Sequence, residues 1–282
     1  MMSRRRTELM LKALMIASLS LVMAVLGAII LVIVIKGLGA IDLSMIVQIP
    51  KGGYYLGKEG GIANAIVGSL YLALGATILS IACGLPVALA LQKEYTGRRV
   101  ARVTRLVLDI LRGIPSIVYG AFGFVVMAYF GLRASLLGGI IALTLLMLPI
   151  MVRSMEEVVR MIPQELKETT LSLGATKIET AWAVILRQAL PGIITAVLLA
   201  FGRGIGDAAS ILFTAGYTDF IPGSLFDPAA SLPLAVFFQI GTPIPEVQER
   251  AYASALILLV IVLIVSVAAR LLAKRFSRNV VR

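Results

Sequence analysis

Apolar residues fill most of the chain in long runs, and short polar intervals separate these runs. A helix of about 20 apolar residues is long enough to cross the hydrocarbon core of a bilayer. The pattern predicts an all-α polytopic membrane protein with six spans, at residues 13–35, 60–91, 106–130, 136–155, 193–217 and 251–272. A further apolar stretch, residues 231–240, has about half of the length needed to cross, so it predicts a re-entrant or an interfacial piece.

Local signals refine the third span and its surroundings. Pro115 predicts an interruption of the helix, because proline lacks the amide hydrogen that a helix interior needs. Asp109 and Arg112 lie one turn apart, so we expect them to pair. Glu156 and Glu157 follow the fourth span, where we expect carboxylates to be solvated or to face a partner.

Composition and charge narrow the function classes. The chain has 282 residues, of which 59% are hydrophobic, and it contains no histidine. His-based acid–base catalysis and His-ligated metals are therefore excluded, and the single cysteine, Cys83, cannot form an internal disulfide. The net charge of +11 does not indicate nucleic-acid binding, because 19 of the 26 Lys and Arg residues fall in the two terminal segments and two alternate loops. This alternation follows the positive-inside rule and places both termini in the cytoplasm.

The polar interval at residues 163–193 carries its own start and stop signals. Pro163 suits the first turn of a helix, and Gly174 suits the left-handed residue that ends one. Thr176 and Glu179 have the spacing of a capping box, which starts a second helix. Pro191-Gly192 predicts a boundary before the next apolar run. The interval therefore predicts two short helices outside the bilayer; spacing alone leaves a docking element for a soluble partner and an ordinary structured loop equally open.

The residues of this interval resemble the EAA loop of ABC-importer permeases, in which a Glu-Ala-Ala sequence precedes a glycine and a later Leu-Pro. Thr169 and Thr170 stand where that family has alanines, and Arg187 stands where it often has proline. The resemblance implies the fold of a type I (MetI-like) importer permease, and it implies that this loop inserts into a groove of a cytoplasmic ATPase. The coupling residues that it implies are Glu168, Leu171, Gly174, Ala175, Val184, Leu186, Pro191 and Gly192.

The fifth predicted span contains two ionisable residues, Arg203 and Asp207. Their i, i+4 spacing would put them on one helix face near the middle of the bilayer. Ionisable residues at that depth are costly and usually face a pathway or a partner. Arginine suits an oxyanion, because its planar fork binds phosphate-like groups through two hydrogen bonds. We therefore predict a substrate pathway past Arg203 and Asp207; the alternative is a self-neutralising pair that only locks the helices together.

The surrounding residues 198–216 resemble the R-x-x-G-E-T-A-P-L-L-F-T-A segment of phosphate-importer permeases. The likeness extends over most of residues 60–274 and is nearest to the A-type phosphate permeases; Asp207 replaces a glutamate, and Ala209-Ser210 replaces Ala-Pro. It implies transport of inorganic phosphate across the cytoplasmic (inner) membrane. The implied partners are a second homologous permease, two ATPase subunits that carry Mg-ATP, an external phosphate-binding protein and membrane lipid, but no nucleic acid.

We divide the chain into residues 1–59 with the basic leader and first span, a permease core at 60–274, and a basic tail at 275–282. The sequence has no phosphate-binding loop of the form G-x-x-x-x-G-K-[ST], so we expect a transport subunit without its own ATP hydrolysis site, cofactor or metal. Three alternatives remain open: a permease for another oxyanion, a stand-alone secondary transporter, and a membrane enzyme such as a lipid phosphotransferase.

Overall fold

The computed structural model describes residues 4–51 and 59–276, and within them regular structure is almost entirely helical. One short antiparallel pairing joins β1 (Pro50–Lys51) to β2 (Glu59–Gly60). The first three residues of the basic leader and the tail from residue 277 onward lie outside the described residues. The three-part division of the chain stays a prediction.

The helices confirm the all-α class. In chain order they are α1 (Arg4–Ala40), α2 (Leu43–Val47), α3 (Ala63–Ala90), α4 (Arg98–Gly113), α5 (Ser116–Tyr129), α6 (Leu136–Arg160), α7 (Gln164–Ser172), α8 (Lys177–Glu179), α9 (Leu186–Ile205), α10 (Leu232–Ile240) and α11 (Pro245–Phe276). Five helical stretches among the described residues are long and apolar enough to cross a membrane, and the bent pair α4–α5 makes a sixth if it counts as one span.

Helix α6 lies at the centre of the molecule and contacts α3, α4, α5 and α9. Met147, Met151 and Met155 recur every four residues on this helix, so they share one face, and none of the three is accessible to solvent. The apolar side chains of α1 are exposed along the helix, and α1 contacts mainly α11. The core is therefore built around α6, while α1 adds a span at its edge.

The predicted third span, residues 106–130, is not one continuous helix. It is divided between α4 and α5, which meet at an angle of 100°. Ile114 and Pro115 both have extended backbone at the bend, because proline disfavours helical geometry in the residue before it. The hydroxyl of Tyr119 donates to the carbonyl of Leu111 across the bend at 2.7 Å, which satisfies one of the carbonyls freed there. Residues 106–113 thus belong to a helix that the bend turns away from α5.

The predicted fifth span, residues 193–217, is displaced toward the N-terminus. A continuous helical rod, which we call the rod, runs from Lys177 through a π-helical stretch (Thr180–Ile185) to Ile205. The predicted boundary at Pro191 is wrong, because this proline lies inside α9. Its neighbour Gly192 has no side chain, so α9 can pack closely against Val158 of α6. This contact is made only if the helix continues past the proline. Proline cannot donate a helical hydrogen bond, and membrane helices tolerate the carbonyl left unpaired where neighbouring helices cover it.

The half-length apolar stretch forms α10, which contacts α3 and α11. At its start, the amide of Leu232 donates to the hydroxyl of Ser69 at 2.7 Å. Ser69 lies six residues inside α3, or about 9 Å along its axis. The start of α10 therefore lies about 9 Å inside the N-terminal end of α3. This depth favours a re-entrant rather than an interfacial position for α10.

Candidate functional site

Arg203 lies in the last turn of α9 and is exposed. The next residue, Gly204, lies directly against Met147, which is close to the middle of α6. Since α6 spans the molecule, Arg203 lies near the middle of the bundle. Thr195, Leu199 and Arg203 are all exposed and recur at intervals of four residues, so they form one stripe of α9 that the described part of this chain does not cover.

Asp207 does not share a helix face with Arg203, contrary to the sequence prediction. The helix ends at Ile205, and Gly206 is its C-terminal cap. Asp207 is half-buried, and its carboxylate accepts a hydrogen bond from the amide of Ser210 at 2.8 Å. No ion pair joins Arg203 to Asp207 in the described residues. Glycine is a poor helix former, and aspartate competes well as a cap for the following turn, so the helix stops before the pair can form.

The chain after Ile205 runs without a regular helix to Ser231, although residues 210–211, 214–215 and 229–231 of this segment are buried. Buried backbone without a helix must find other hydrogen-bond partners. The first turn of α6 supplies several of them: the amides of Ser135, Leu136 and Leu137 donate to the carbonyls of Thr214, Asp227 and Leu225 at 2.7–2.8 Å. These amides would otherwise be unpaired, as at any helix N-terminus. The segment and the start of α6 therefore satisfy each other.

The second predicted site is the knuckle, which we define as residues 164–179, comprising α7, a tight turn and α8. Gly174 has a φ of +88°, which confirms the predicted left-handed turn. The capping box also forms: the amide of Glu179 donates to the Thr176 hydroxyl at 3.2 Å, and the amide of Thr176 donates to the Glu179 carboxylate at 2.8 Å. The sequence thus predicted the turn and the cap correctly, but the second helix is not short, because it continues into the rod.

The predicted coupling residues divide into two groups in the structure. Glu168, Leu171 and Gly174 are exposed on the knuckle, and Ala175 beside them is half-buried. The other four are half-buried in the rod that leads away from the knuckle; they are Val184, Leu186, Pro191 and Gly192.

Three apolar residues outside the predicted coupling set are also exposed at the knuckle and the start of the rod. Leu173 is 83% exposed, Ile178 is 71% exposed and Trp182 is 48% exposed. The sequence does contain a signal for these residues. Large apolar side chains are unusual in an interval that is predicted to lie outside the bilayer, and they indicate a surface that contacts a partner. Together with Leu171 they give the knuckle an apolar surface suited to a protein partner.

Contacts join the knuckle to the loop between α3 and α4. The Tyr95 hydroxyl donates to the carbonyl of Lys177 at 2.9 Å, and the Lys177 ammonium donates to the carbonyl of Glu94 at 2.9 Å. The buried Lys167 forms an ion pair with Glu94 at 3.7 Å. Burial, together with the nearby Glu94 charge, raises the pKa of Tyr95, so its phenol stays protonated and able to donate. Movement of the knuckle must therefore also move this loop or break these contacts.

Glu156 is fully buried, which corrects the expectation of a solvated or partner-facing carboxylate. It forms ion pairs with Arg105 of α4 at 2.7 Å and with Arg153 and Arg160 of α6 at 2.8 and 2.6 Å. Arg153 also pairs with Asp109 at 3.1 Å. Three guanidinium groups around one carboxylate supply the partners that a buried charge requires. The pairing expected between Asp109 and Arg112 is present but long, at 4.0 Å.

Comparisons with known proteins agree with this architecture. Residues 80–278 match the family described as "Binding-protein-dependent transport system inner membrane component". The chain is 36% identical to the phosphate transport system permease protein PstA of Xylella fastidiosa, over 85% of this chain and 83% of the relative. It is also 36% identical to PstA 1 of Mycobacterium tuberculosis, over 76% of this chain and 70% of the relative. A probable ABC transporter permease of Bacillus subtilis, YqgI, is 29% identical over 95% of this chain and 96% of the relative.

Solved structures support the fold. A chain of a bacterial alginate ABC transporter superimposes with a TM-score of 0.68 at 14% identity, covering 98% of both chains. A chain of the MetNI methionine ABC transporter in an inward-facing conformation superimposes with a TM-score of 0.61 at 20% identity, covering 76% of this chain and 95% of that one. These likenesses show that the helices are arranged as in the membrane subunits of ABC transporters.

Proposed function

The chain belongs to the family of binding-protein-dependent transport system inner membrane components, and from this premise we propose that it is the permease subunit of an ATP-driven importer of inorganic phosphate. The A-type phosphate permeases that it resembles cover most of its length. It is a multi-pass protein of the inner membrane, and its role is transport rather than ATP hydrolysis. The positive-inside distribution of its basic residues supports a cytoplasmic location for both termini.

The observation that carries the choice of an anionic cargo is the position of Arg203. Its guanidinium is exposed near the middle of the bundle, and no carboxylate among the described residues pairs with it. The C-terminal end of a helix carries a partial negative charge, which stabilises a cation in the last turn. A guanidinium held in this way presents parallel N–H groups that match two oxygens of a phosphate. Asp207 has a supporting role, because its carboxylate fixes the turn that follows Arg203.

The rod connects this position to the knuckle. It has 29 residues, which corresponds to a length of about 43 Å. A partner that displaces the knuckle therefore moves a continuous helix whose far end carries Arg203. We assign the coupling role to the exposed surface of Glu168, Leu171, Leu173 and Ile178, with Gly174 and Ala175 forming the turn between the helices.

The proposed assembly has two permease subunits, two ATPase subunits that bind Mg-ATP, and an external phosphate-binding protein. The uncovered stripe of Thr195, Leu199 and Arg203 supports a second, homologous permease opposite this chain, because two such faces would enclose a path between them. The proposal assigns no cofactor to this chain.

ATP-driven uptake of radiolabelled phosphate by vesicles that contain the co-expressed complex tests the proposal. Arg203→Ala removes the charged donors and should lower uptake by about tenfold or more, the loss expected when a charged hydrogen bond to the substrate is removed. Arg133→Ala removes the same charge from the exposed turn between α5 and α6 and should leave uptake unchanged.

Three results would revise the proposal in different ways. If sulfate or molybdate enters and phosphate does not, the cargo is wrong but the permease role remains. If uptake by Arg203→Ala equals that of the wild type in an intact complex, the pathway is elsewhere. If no ATPase subunit co-purifies with the chain, the knuckle does not couple to one, and a stand-alone secondary transporter becomes the better description.

A further inference from the structure

A second concentration of positive charge lies on the knuckle side of the molecule, far from Arg203. A cavity of about 1220 Å³ opens there between α4, the end of α6 and the start of α7. Seven of its 17 lining residues are basic and two are acidic. The buried Glu156 lies behind this wall, so the acidic groups in and behind the wall leave a clear excess of positive charge.

The basic groups in the wall have different partners. Arg105, Arg153 and Arg160 share the buried Glu156 carboxylate, and their positions are fixed by it. By contrast, Arg98 and Arg102 form no hydrogen bond or ion pair within the part of the chain that the structure describes, and both are exposed. They lie four residues apart on α4, hence on the same helix face. The cavity thus combines a rigid cationic floor with two available guanidinium groups at its rim.

The acidic residues of the lining are already paired. Asp109 pairs with Arg153 at 3.1 Å, and Glu94 pairs with Lys167 at 3.7 Å. Neither pair uses Arg98 or Arg102. Arg98 and Arg102 are therefore not neutralised by a carboxylate among the described residues, and a ligand that neutralises them must be an anion.

The face of α4 next to these two arginines is apolar and exposed. Val103, Leu106 and Ile110 are each 57–59% exposed, and they recur every three or four residues. A helix with one basic and one apolar face lies at a membrane surface, with its apolar side toward the acyl chains. Leu106 also lines the cavity, so the charged cavity and the apolar face meet along one edge of α4. The cavity then opens at the level of the lipid headgroups.

This cavity is separate from the proposed substrate pathway. Arg203 lies beside Gly204, which contacts Met147 of α6. Arg153 and Arg160 lie 6 and 13 residues further along that helix, which is about 9 and 20 Å along its axis. The two groups of arginines are therefore at different depths.

We propose that this cavity is a binding site for a phosphate group, held between the rim residues Arg98 and Arg102 and the fixed arginines of the floor. The planar fork of arginine matches the oxygens of a phosphate, and clustered arginines are the usual means of holding one. Two sources present this group at the inner face: the headgroup of an anionic phospholipid and free inorganic phosphate. The assignment does not depend on the identity of the transported substrate.

The experiment uses the assembled complex in nanodiscs, without nucleotide, in two arms. In the first arm the nanodiscs contain only phosphatidylcholine, and binding of radiolabelled inorganic phosphate is measured at equilibrium. In the second arm phosphatidylglycerol is added, and native mass spectrometry counts the phosphatidylglycerol molecules that stay bound. The test variant is Arg98→Gln with Arg102→Gln, and the matched control is Arg99→Gln, which removes a charge from the same turn of α4 but does not line the cavity. Arg203→Ala is included so that binding at the substrate pathway is recognised.

The proposal predicts that the double variant binds free phosphate about tenfold or more weakly in the first arm, or retains fewer phosphatidylglycerol molecules in the second, while Arg99→Gln behaves like the wild type in both. A loss confined to the first arm identifies free phosphate, and a loss confined to the second identifies the lipid headgroup. Equal binding by the double variant and the control in both arms would overturn the proposal. The proposal is also wrong if ligand binds only after the ATPase subunits are removed, because the cavity is then part of their docking surface.

Discussion

The two ends of the rod are held in opposite ways. At Lys177 the helix begins in an exposed turn, and the hydrogen bonds that start it join residues three apart in the chain. At Ile205 it ends inside the molecule, and the chain beyond it bonds to distant residues, as in the pairing of the Thr214 carbonyl with the Ser135 amide. The first end keeps its shape wherever it moves, whereas the second keeps its shape only in this core. If a partner displaces the knuckle, a helix of this kind moves as one unit, and Arg203 at its far end then moves relative to the surrounding core.

The largest expected effect comes from filling the space beside the buried end. Gly120 of α5 lies against the turn after Arg203, and a Cβ at this position would be 2.8 Å from the carbonyl oxygens of Ala209 and Ser210. Gly120→Val should therefore destabilise the complex by about 3 kcal/mol, the upper part of the range for overpacking a core. The measurement is thermal stability of the purified complex, together with its phosphate uptake.

Gly27→Val is the matched control, because Gly27 is also inside an apolar helix but a Cβ added there would meet no atom within 4 Å. Both substitutions carry the same cost in helix propensity, so the difference between them reports the contact alone. Equal stability of the two variants would show that the segment after Ile205 is not held by α5.

Two left-handed glycines allow the two ends to be compared directly. Gly174 at the knuckle and Gly216 in the buried segment have φ values of +88° and +79°. A Cβ at Gly174 meets no atom within 4 Å, but a Cβ at Gly216 would be 2.9 Å from the Cβ of Pro228. Alanine at either position costs about 1 kcal/mol for the left-handed backbone. We expect Gly216→Ala to cost about 2 kcal/mol in total, because the contact with Pro228 adds to it.

Thermal stability of the two alanine variants in the same detergent measures this difference. The larger loss should belong to Gly216→Ala. A larger loss for Gly174→Ala would mean that the knuckle, and not the buried segment, is held by its surroundings.

The same contrast explains which features the sequence could predict. The knuckle follows from residues that act within one turn, namely Gly174 and the pair Thr176 and Glu179, so local rules were sufficient. The segment after Ile205 depends on amides at the start of α6, which lie about 80 to 90 residues earlier in the chain, and no local signal reports them. The predicted common face of Arg203 and Asp207 has a different, local cause of failure: it assumed a helix that continues past Gly206, although Gly206 and Asp207 themselves favour an end there.

Two further errors have related causes. Pro191 predicts a boundary, but the helix continues through it where α9 contacts α6. The position of Glu156 after the fourth predicted span favours a solvated or partner-facing carboxylate. Its burial depends on Arg105, which α4 brings from 51 residues away. The apolar pattern did predict five of the spans and the half-length helix, because these depend on length and hydropathy alone. The predicted third span is the bent pair α4–α5, which is a span only if the two helices are counted together.

A smaller effect is expected at the cap of the knuckle. Thr176→Ala removes the side-chain hydroxyl that accepts from the Glu179 amide, and loss of such a cap costs about 1 kcal/mol of local stability. The first turn of the rod would then fray more often, so movement of the knuckle would be transmitted less completely to Arg203. More ATP should therefore be hydrolysed for each phosphate taken up. Simultaneous assays of ATP hydrolysis and uptake in vesicles measure this ratio. Ser172→Ala is the control, because the Ser172 hydroxyl bonds only to the carbonyl of Glu168 within its own helix; a ratio that changes equally in both variants would argue against the cap.

The smallest effect is expected at Tyr95, which ties the knuckle to the loop before α4. Tyr95→Phe removes the 2.9 Å hydrogen bond to the Lys177 carbonyl and keeps the ring, so the change in stability should be about 0.5 kcal/mol, the low end of the range for a hydrogen bond, because this one is exposed. If the knuckle moves as a unit with that loop, the variant should hydrolyse ATP normally but import less phosphate. Tyr129→Phe removes a hydroxyl from an exposed side chain at the end of α5 and should change neither activity. Normal uptake by Tyr95→Phe would mean that the rod alone carries the movement, and that the contact with the α3–α4 loop only holds the knuckle in its resting position.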